Sequence, residues 1–410
     1  MDFLRRGNRE LIKDINRALV IDQLRKNGPM SRTEIAKQTN LGLSTVTKIV
    51  DSLMEQRLVC EVGQGDSSGG RRPIFIDLNY DYGYCIGIRV IKRGFKLAVT
   101  NLRPQILERI DLSFPDNAPF EEVRPVLLDG LRRVISARSS AGLSCFGIGV
   151  GISGLVDLEA GKLLSSKLLG WEEIEFRSLL EEQFQVPVFV DNDVNTYALA
   201  ELSYGRGRYI KNFAVIALGV GLGAGLVLDG HLYRGEFGGA GEIGHTILFP
   251  EGKKCYCGQK GCLETYVGDG FILEETKRLL VETGGGSLYE RREDLRIEDV
   301  FAAAHAGDPI ARKVLATVGR NLGIGLINLI NTLNPKAIFL TGEHLAVAEY
   351  ILPSMKEVLK NTYFSQFESS IEIGLSDLGP DAWELGAVAM VLNELFRAPI
   401  YRDKKEMALV

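Results

Sequence analysis

The stretch GEIGHTILFPEGKKCYCGQKGCLETY, from Gly241 to Tyr266, holds one of the chain's four histidines and three of its six cysteines. One imidazole and three thiols are a common ligand set for tetrahedral structural zinc. The predicted ligands are His245, Cys255, Cys257 and Cys262. Four protein ligands leave no open coordination position, so we expect one structural, non-catalytic Zn²⁺ ion per chain. The alternative is three buried cysteines beside an unrelated histidine.

Two glutamates flank these candidate ligands. Glu242 precedes His245 by three residues, and Glu264 follows Cys262 by two. A metal ion that clamps both segments would hold the two carboxylates at a fixed separation. Each carboxylate can accept several hydrogen bonds, as the neighbouring hydroxyls of a sugar require. The segment therefore predicts a sugar site beside the metal.

The segment VFVDNDVNTYALAE, residues 188–201, adds further polar groups at the end of a predicted strand. Asn192 and Asp193 stand where this strand gives way to a helix. An aspartate in this position can deprotonate a sugar hydroxyl or only hold it. The alternative is that both residues simply cap the helix.

Length and composition indicate a globular protein of several domains. The 410 residues are 45% hydrophobic and 25% charged, and two or three domains are expected. The sequence shows no long uncharged apolar run and no apolar core of a signal peptide near its start, so we expect a cytoplasmic protein without a membrane partner. In that compartment clustered cysteines favour metal binding over disulfides.

The first 72 residues differ in charge from the rest of the chain. They contain 13 Lys and Arg against 9 Asp and Glu, whereas the remainder has a net charge of −9 within a total of −5. Apolar residues recur at helical spacing before the breaker Asn27-Gly28-Pro29, and Ser31 with Glu34 predicts a capping box. A glycine-containing turn and a third helix follow, then two alternating strands. This order predicts a winged helix-turn-helix.

A winged helix binds double-stranded DNA through its third helix and its wing. The small polar residues of that helix and the arginines of the glycine-rich wing tip suit base edges and phosphates. The predicted DNA contacts are Ser31, Arg32, Ser44, Thr45, Thr47, Lys48, Arg71 and Arg72. The alternative is a small helical domain that binds protein.

From residue 80 onward, short apolar strands alternate with helices. Two hairpins, in YCIGIRV–FKLAVTNL and NFAVIALG–GAGLVLDG, each open one half of this body. The pattern predicts an α/β class with two similarly built lobes and a cleft for a ligand. We expect a winged helix-turn-helix at 1–80, a small lobe at 81–194 to which a C-terminal helix at 382–410 returns, and a large lobe with the zinc site at 195–381.

Four motifs together resemble the ROK family of repressors, open reading frames and kinases. They are LGVGLGAGLVLDGHLYRGEFGGAGEIGH, CYCGQKGCLE, VDNDVN and GISGLVD, within a resemblance that spans about residues 81–395. The resemblance implies the two-lobed actin-like sugar-kinase fold, in a homodimer or tetramer. The winged helix in front is similar to the repressors of that family.

The resemblance also assigns roles to individual residues. It implies that the four residues named above bind zinc and that Asp193 stands at the position of the kinases' general base. The implied sugar contacts are Ser166, Asn192, Asp193, Glu242, His245 and Glu264. His245 would serve both the metal and the sugar.

The chain departs from the kinase pattern in its first hairpin. Kinases of this fold carry Asp-x-Gly-Gly-Thr there, and this chain has IGIRVIKRGF. Arg89 replaces the aspartate that organises magnesium, and Ile91, Lys92 and Arg93 replace the Gly-Gly-Thr that admits phosphates. The glycine turn GVGLGAG persists, but such turns also serve packing. We therefore expect a protein that is not an enzyme, with Asp193 as a vestigial base.

The combined prediction is a sugar-responsive repressor that binds operator DNA and a small sugar without phosphorylating it. It would control genes of carbohydrate use. One alternative is an active ATP-dependent sugar kinase with a regulatory DNA-binding head. Another is a regulator that senses a partner protein in place of a sugar.

Overall fold

The computed structural model of the chain describes residues 9–64, 72–360 and 371–395. The head comprises α1 Arg9–Asn27, β1 Met30–Ser31, α2 Arg32–Thr39, α3 Leu43–Glu55, β2 Val59–Gln64 and β3 Ile74–Leu78. Its three strands form a sheet in the order β1-β3-β2. Apolar side chains from all three helices and the sheet close one core, which includes Leu24, Ile35, Val50 and Ile76. The predicted winged helix-turn-helix is confirmed.

The predicted capping box begins α2. The Ser31 hydroxyl accepts a hydrogen bond from the Glu34 amide, and the Glu34 carboxylate accepts from the Ser31 amide at 2.8 Å. Two unpaired amides at the helix start are satisfied in this way. The wing tip is only partly described: Arg72 is exposed, and Arg71 lies outside the described residues.

The body begins with strands and helices that build two sheets. They are β4 Gly83–Ile91, β5 Gly94–Asn101, β6 Ile106–Ser113, α4 Phe120–Ser140, β7 Ser144–Ile152, β8 Leu155–Asp157, β9 Lys162–Ser166, β10 Trp171–Ile174, α5 Phe176–Phe184 and β11 Val188–Asn192. Five strands form one sheet in the order β11-β7-β4-β5-β6, and β10-β9-β8 form a small second sheet. The β4–β5 hairpin turns through Lys92 and Arg93, because Ile91 pairs with Gly94.

The rest of the body builds a third sheet and a helical layer. Its elements are α6 Asp193–Tyr204, β12 Phe213–Leu218, β13 Leu222–Leu228, β14 His231–Tyr233, α7 Asp269–Thr283, α8 Ile297–His305, α9 Pro309–Leu333, β15 Ala337–Thr341, α10 Ala348–Leu359, β16 Glu372–Leu375 and α11 Ala382–Leu395. The sheet order is β14-β13-β12-β15-β16, with β12–β13 antiparallel and β12–β15 parallel. The mixed α/β class that the sequence predicts is confirmed.

Helix α9 is apolar because it lies inside the core. Among the described residues it is the one helix long and apolar enough to cross a membrane, but 61% of its most apolar window is buried in the protein. It contributes Val314, Val318, Leu322 and Leu326 to the largest hydrophobic cluster. Burial against its own fold accounts for this composition.

The chain divides into two compact units. Of the described residues, the first unit contains 9–64, 72–150, 176–189 and 388–395, and the second contains 151–175, 190–360 and 371–387. The first unit thus holds the head and most of the five-stranded sheet, whereas the sequence placed the end of the small lobe at 194. Helix α11 contributes its first residues to the second unit and its later residues to the first.

A glycine in α11 allows it to cross α6 within the second unit. A Cβ atom at Gly386 would lie 1.8 Å from the Thr196 carbonyl oxygen. We expect Gly386→Ala to lower the free energy of unfolding by about 1–3 kcal/mol, because the helices must separate. The matched control is Gly270→Ala in α7, where a Cβ would meet no atom within 4 Å. Better helix propensity should make that control neutral or stabilising by up to about 1 kcal/mol. Thermal melts of both variants test this, and equal Tm values would contradict the packing at Gly386.

Candidate functional site

The four predicted metal ligands converge. The ligand atoms of His245, Cys255, Cys257 and Cys262 all lie within 4.8 Å of one another. Cys255 Sγ is 3.6 Å from His245 Nδ1, and Cys257 Sγ is 3.6 Å from Cys262 Sγ. Tetrahedral coordination with bonds of about 2.0–2.3 Å separates ligand atoms by about 3.5–3.8 Å. These two distances match tetrahedral coordination, and the cluster as a whole is compact enough to hold one metal ion.

Tight turns build the cluster. The amide of Gly258 donates to the Cys255 carbonyl, and the Cys255 amide donates to the Gln259 carbonyl at 2.8 Å. Gly261 has a φ of +76°, and a Cβ there would lie 1.6 Å from the Phe249 carbonyl oxygen. Only glycine fits this position. An isolated bridge between Ile247 and Cys262 then joins the histidine and cysteine segments.

Protons compete with a metal for these thiols. Burial first, and then the neighbouring Cys257 and Cys255, raise the pKa of Cys262 to about 12. Since a metal binds the thiolate, it must displace this proton, and metal affinity should fall as the pH falls.

The imidazole of His245 presents different groups to its two sides. Its Nδ1 faces the sulfur atoms, and its Nε2 faces away, 3.8 Å from a Glu242 carboxylate oxygen. The Tyr256 hydroxyl oxygen lies 3.1 Å from the same Nε2. Burial first, and then the charge of Glu264, raise the pKa of Tyr256, so this phenol keeps its proton. One histidine can thus bind metal and a polar ligand at once.

The carboxylates of Glu242 and Glu264 belong to this same group. Burial first, and also Glu264, raise the pKa of Glu242, against the opposite effect of His245. Glu264 accepts a hydrogen bond from the Leu222 amide at 3.0 Å, which ties it to the start of β13. The structure therefore brings together Glu242, His245 and Glu264, as the sequence predicts for three of the sugar contacts.

Asn192 and Asp193 begin α6. The Asn192 side chain caps the helix by accepting hydrogen bonds from the Val194 and Asn195 amides, and its Nδ2 donates to the Gly154 carbonyl. Asp193 is half-buried in the first turn. Helix α6 packs against the glycines of β13, where a Cβ at Gly225 would lie 2.7 Å from the Val194 carbonyl oxygen. Strand β13 thus has Glu264 at its start and α6 against its glycines.

Ser166 is buried at the end of β9. Its hydroxyl accepts a hydrogen bond from the Leu169 amide at 3.3 Å and so holds the following turn. A Cβ at Gly154 would lie 3.0 Å from Ser166 Cα, and the Gly154 carbonyl is the group that Asn192 binds. Gly154 therefore joins the predicted contacts Ser166 and Asn192.

An ion pair between Asp191 and Arg234, which sequence reasoning missed, connects the strand before Asn192 with the loop that leads to Glu242. Asp191, whose side chain is 2% exposed, accepts a hydrogen bond from Arg234 Nε at 2.7 Å and from Asn195 Nδ2 at 2.9 Å. Arg234 begins the loop that leads to Glu242. Sequence spacing could not reveal the pair, because 43 residues separate its members. The one sequence feature that pointed to it was Asp191 itself, an acidic residue directly before Asn192 at the end of an apolar strand.

The predicted DNA contacts lie in two environments within the head. Ser44 and Lys48 are exposed on α3, and Thr45 is half-buried beside them. By contrast, the Ser31 hydroxyl is used in the capping box, Arg32 pairs with Asp51 at 3.0 Å, and the Thr47 hydroxyl donates to the Leu43 carbonyl. The first three side chains are the ones most available to a ligand.

Comparison with known proteins identifies the family. The ROK family profile matches residues 85–394. The chain belongs to the ROK family. A profile for winged helix-turn-helix DNA-binding domains matches residues 13–59. Both assignments confirm the resemblance predicted from the motifs.

Similar ROK proteins include named repressors. The xylose repressor of Bacillus subtilis (strain 168) is 32% identical, and the match covers 94% of this chain and 97% of that protein. The N-acetylglucosamine repressor of Escherichia coli O6:H1 is 31% identical over 94% of each chain. The crystal structure of a ROK family transcriptional regulator, a homologue of the E. coli MLC protein, has 27% identity and a TM-score of 0.83, covering 95% of this chain and 98% of that one.

The Asp191–Arg234 pair yields a prediction. Arg234→Ala should lower the free energy of unfolding by about 2–3 kcal/mol, because a buried carboxylate loses its charged partner but keeps Asn195. Arg278→Ala is the control, since Arg278 is half-exposed on α7 and pairs with Glu275 and Glu282 at the surface. That loss should stay below about 1 kcal/mol. Thermal melts compare the two, and equal losses would show that Asp191 does not depend on Arg234.

Proposed function

We propose that this chain is a transcriptional repressor that binds operator DNA and responds to a small sugar. The observation that carries the proposal is the combination, in one chain, of a winged helix with a group of polar residues beside a cluster of four potential metal ligands. The matches to the two sugar-named repressors extend over 94% of this chain, so they include both parts. Xylose and N-acetylglucosamine are therefore the first sugars to test. We propose a cytoplasmic location, where operator DNA lies.

We propose that the metal is one structural Zn²⁺ ion per chain. Three thiols and an imidazole within 4.8 Å of one another are the donor set that zinc favours, and they would complete its coordination. Because Nδ1 of His245 faces Cys255 Sγ, this nitrogen would bind the ion and Nε2 would remain for the sugar. Neither the ion nor His245 needs to react with the sugar.

We propose that the sugar is bound without phosphorylation. In the β4–β5 hairpin, Lys92 and Arg93 turn back onto Asp116, at 3.3 and 3.1 Å. Their charges are used within the protein at the place where kinases of this fold keep glycine and threonine. Arg89 in β4 also cannot bind the Mg²⁺ that accompanies ATP.

The glycine turn GVGLGAG, residues 219–225, also supports binding without phosphorylation. Glu264 Oε2 would lie 2.7 Å from a Cβ at Gly221, and Glu343 Oε2 would lie 2.1 Å from a Cβ at Gly219. Two carboxylates thus stand against the turn, where they would repel phosphate oxygens. The competing proposal of an active kinase rests on Asp193, which is present at the start of α6. Without a phosphate site, that carboxylate can only bind the sugar.

We propose that the head contacts DNA through Ser44, Thr45 and Lys48 of α3 and through Arg72 of the wing. Ser44, Lys48 and Arg72 are exposed, and Thr45 is half-buried next to Ser44 in α3. Ser31, Arg32 and Thr47 would act by holding α2 and α3 in place. A homodimer or tetramer would present two heads to a two-fold symmetric operator.

We propose that α11 carries the state of the sugar site to the head. In the second unit, Trp383 packs edge-on against Tyr197 of α6, with ring centroids 4.8 Å apart. In the first unit, Asn393 accepts a hydrogen bond from Arg25 of α1 at 3.1 Å. A shift of α6 on sugar binding would therefore reach the DNA-binding head along one continuous helix. The sugar drives this shift only if it binds the shifted and unshifted states with different affinity.

We retain 1–80, 81–194 with 382–410, and 195–381 as the proposed domains.

Removal of one ligand tests the zinc proposal. Cys257→Ser should lower zinc content, measured by elemental analysis, well below one ion per chain and should also weaken sugar binding. A loss of about 2 kcal/mol would lower Tm by roughly 4–8 °C. Cys60→Ser in the head is the control and should keep its zinc. A Cys257→Ser protein with full zinc and an unchanged Tm would contradict the assignment.

A thermal-shift panel tests the proposed function. The protein is melted with D-xylose, D-glucose, N-acetylglucosamine and their phosphates, each with and without ATP and Mg²⁺. A sugar at about 100 times its Kd should stabilise the protein by about 2.7 kcal/mol. We expect one sugar to raise Tm and ATP to add nothing, with no ADP formed. ADP production that depends on the sugar would establish the kinase, and no response to any sugar would favour a protein partner.

A further inference from the structure

Tyr256 lies between two metal ligands, yet its side chain points back to the predicted sugar site. The residue is 61% exposed. Its ring meets the His245 imidazole edge-on, with centroids 5.2 Å apart and planes at 87°. Its hydroxyl oxygen lies 3.1 Å from His245 Nε2, within hydrogen-bond distance. Neither the spacing of the motif nor any resemblance assigned it a role.

His245 Nε2 can form a good hydrogen bond with only one partner at a time. His245 Nδ1 faces Cys255 Sγ at 3.6 Å and belongs to the metal cluster, so Nε2 is the nitrogen left for a sugar. An imidazole nitrogen carries one hydrogen or one lone pair, and therefore makes one good hydrogen bond. The Tyr256 hydroxyl already makes that bond. A sugar hydroxyl that binds His245 must replace it.

The surroundings of Tyr256 allow this replacement. Its neighbour Cys255 is buried, and the Cys255 amide donates to the Gln259 carbonyl at 2.8 Å, so the backbone is held. The tyrosine as a whole is 61% exposed, although its hydroxyl end is partly buried beside His245 and Glu264. Exposed side chains change rotamer within nanoseconds, so the phenol can leave without disturbing the cluster.

We propose that the Tyr256 hydroxyl is an internal competitor of the sugar, which occupies the place of a sugar hydroxyl on His245 and thereby sets the sugar concentration to which the protein responds. The inference rests on the proposed sugar-binding function. It concerns the affinity of that site and adds a residue that lowers it. The aromatic ring remains available to pack beside a bound sugar after the hydroxyl has moved.

Tyr256→Phe tests the inference, because it removes the hydroxyl and keeps the ring. Isothermal titration with D-xylose and with N-acetylglucosamine measures Kd for the full-length, zinc-loaded protein. We expect the variant to bind its sugar about 2- to 10-fold more tightly, as the loss of one competing hydrogen bond predicts. The control is Tyr209→Phe, which removes the hydroxyl of a tyrosine that is 84% exposed and lies away from the cluster residues in the sequence. Its Kd should match that of the unmodified protein. Elemental analysis must show equal zinc in all three proteins.

Two results with the variant would overturn the inference. Weaker binding by Tyr256→Phe would mean that the hydroxyl contacts the sugar directly. An unchanged Kd would mean that the hydroxyl and the sugar do not share His245. If the unmodified protein binds neither these two sugars nor D-glucose, the proposed function fails first and the inference falls with it. The unmodified protein thus distinguishes the two failures.

Discussion

The cluster of four potential metal ligands is the constraint on which the proposed sugar site depends. Its four ligand atoms lie within 4.8 Å of one another, and they come from two segments joined by residues 246–254. The distance between the segments sets the separation of Glu242 and Glu264, because each glutamate lies within three residues of a ligand. It also sets the direction of His245 Nε2. Rigid ligands at fixed separation are what a weakly binding, polar molecule such as a sugar requires.

The proposed site would also explain how a chain of the ROK family can serve as a regulator. The residues that would hold the sugar are grouped around the start of β13 and the start of α6. The residues that would hold a nucleotide phosphate are replaced by Lys92 and Arg93, which pair with Asp116, and the second glycine turn faces Glu264 and Glu343. Under the proposed function, the substitutions in the β4–β5 hairpin would remove the phosphate site and keep the proposed sugar contacts. Glu264 belongs to both regions, because it is a proposed sugar contact and also stands against the glycine turn.

Much of this architecture could be predicted from sequence, for local reasons. Four of these features involve residues that are close together in the chain. They are the capping box at Ser31, the breaker after α1, the apolar face of α3 and the spacing of the cysteines. Contacts between distant segments were not predictable. The Asp191–Arg234 pair and the contact of Tyr256 with His245 depend on how segments meet in space. The polar contacts of Arg32 show the same limit, because Asp51 reaches it from another helix.

We propose that sugar bound beside the metal cluster changes the affinity of the head for DNA without being consumed. The direct measurement is fluorescence anisotropy of a labelled operator duplex, selected by the protein from random DNA, with increasing sugar at constant salt. We expect the Kd for DNA to change at least several-fold and the sugar to be recovered unmodified. After zinc is removed, sugar should no longer change the Kd for DNA. A sugar that binds the zinc-loaded protein and leaves its affinity for the operator unchanged would contradict this proposal.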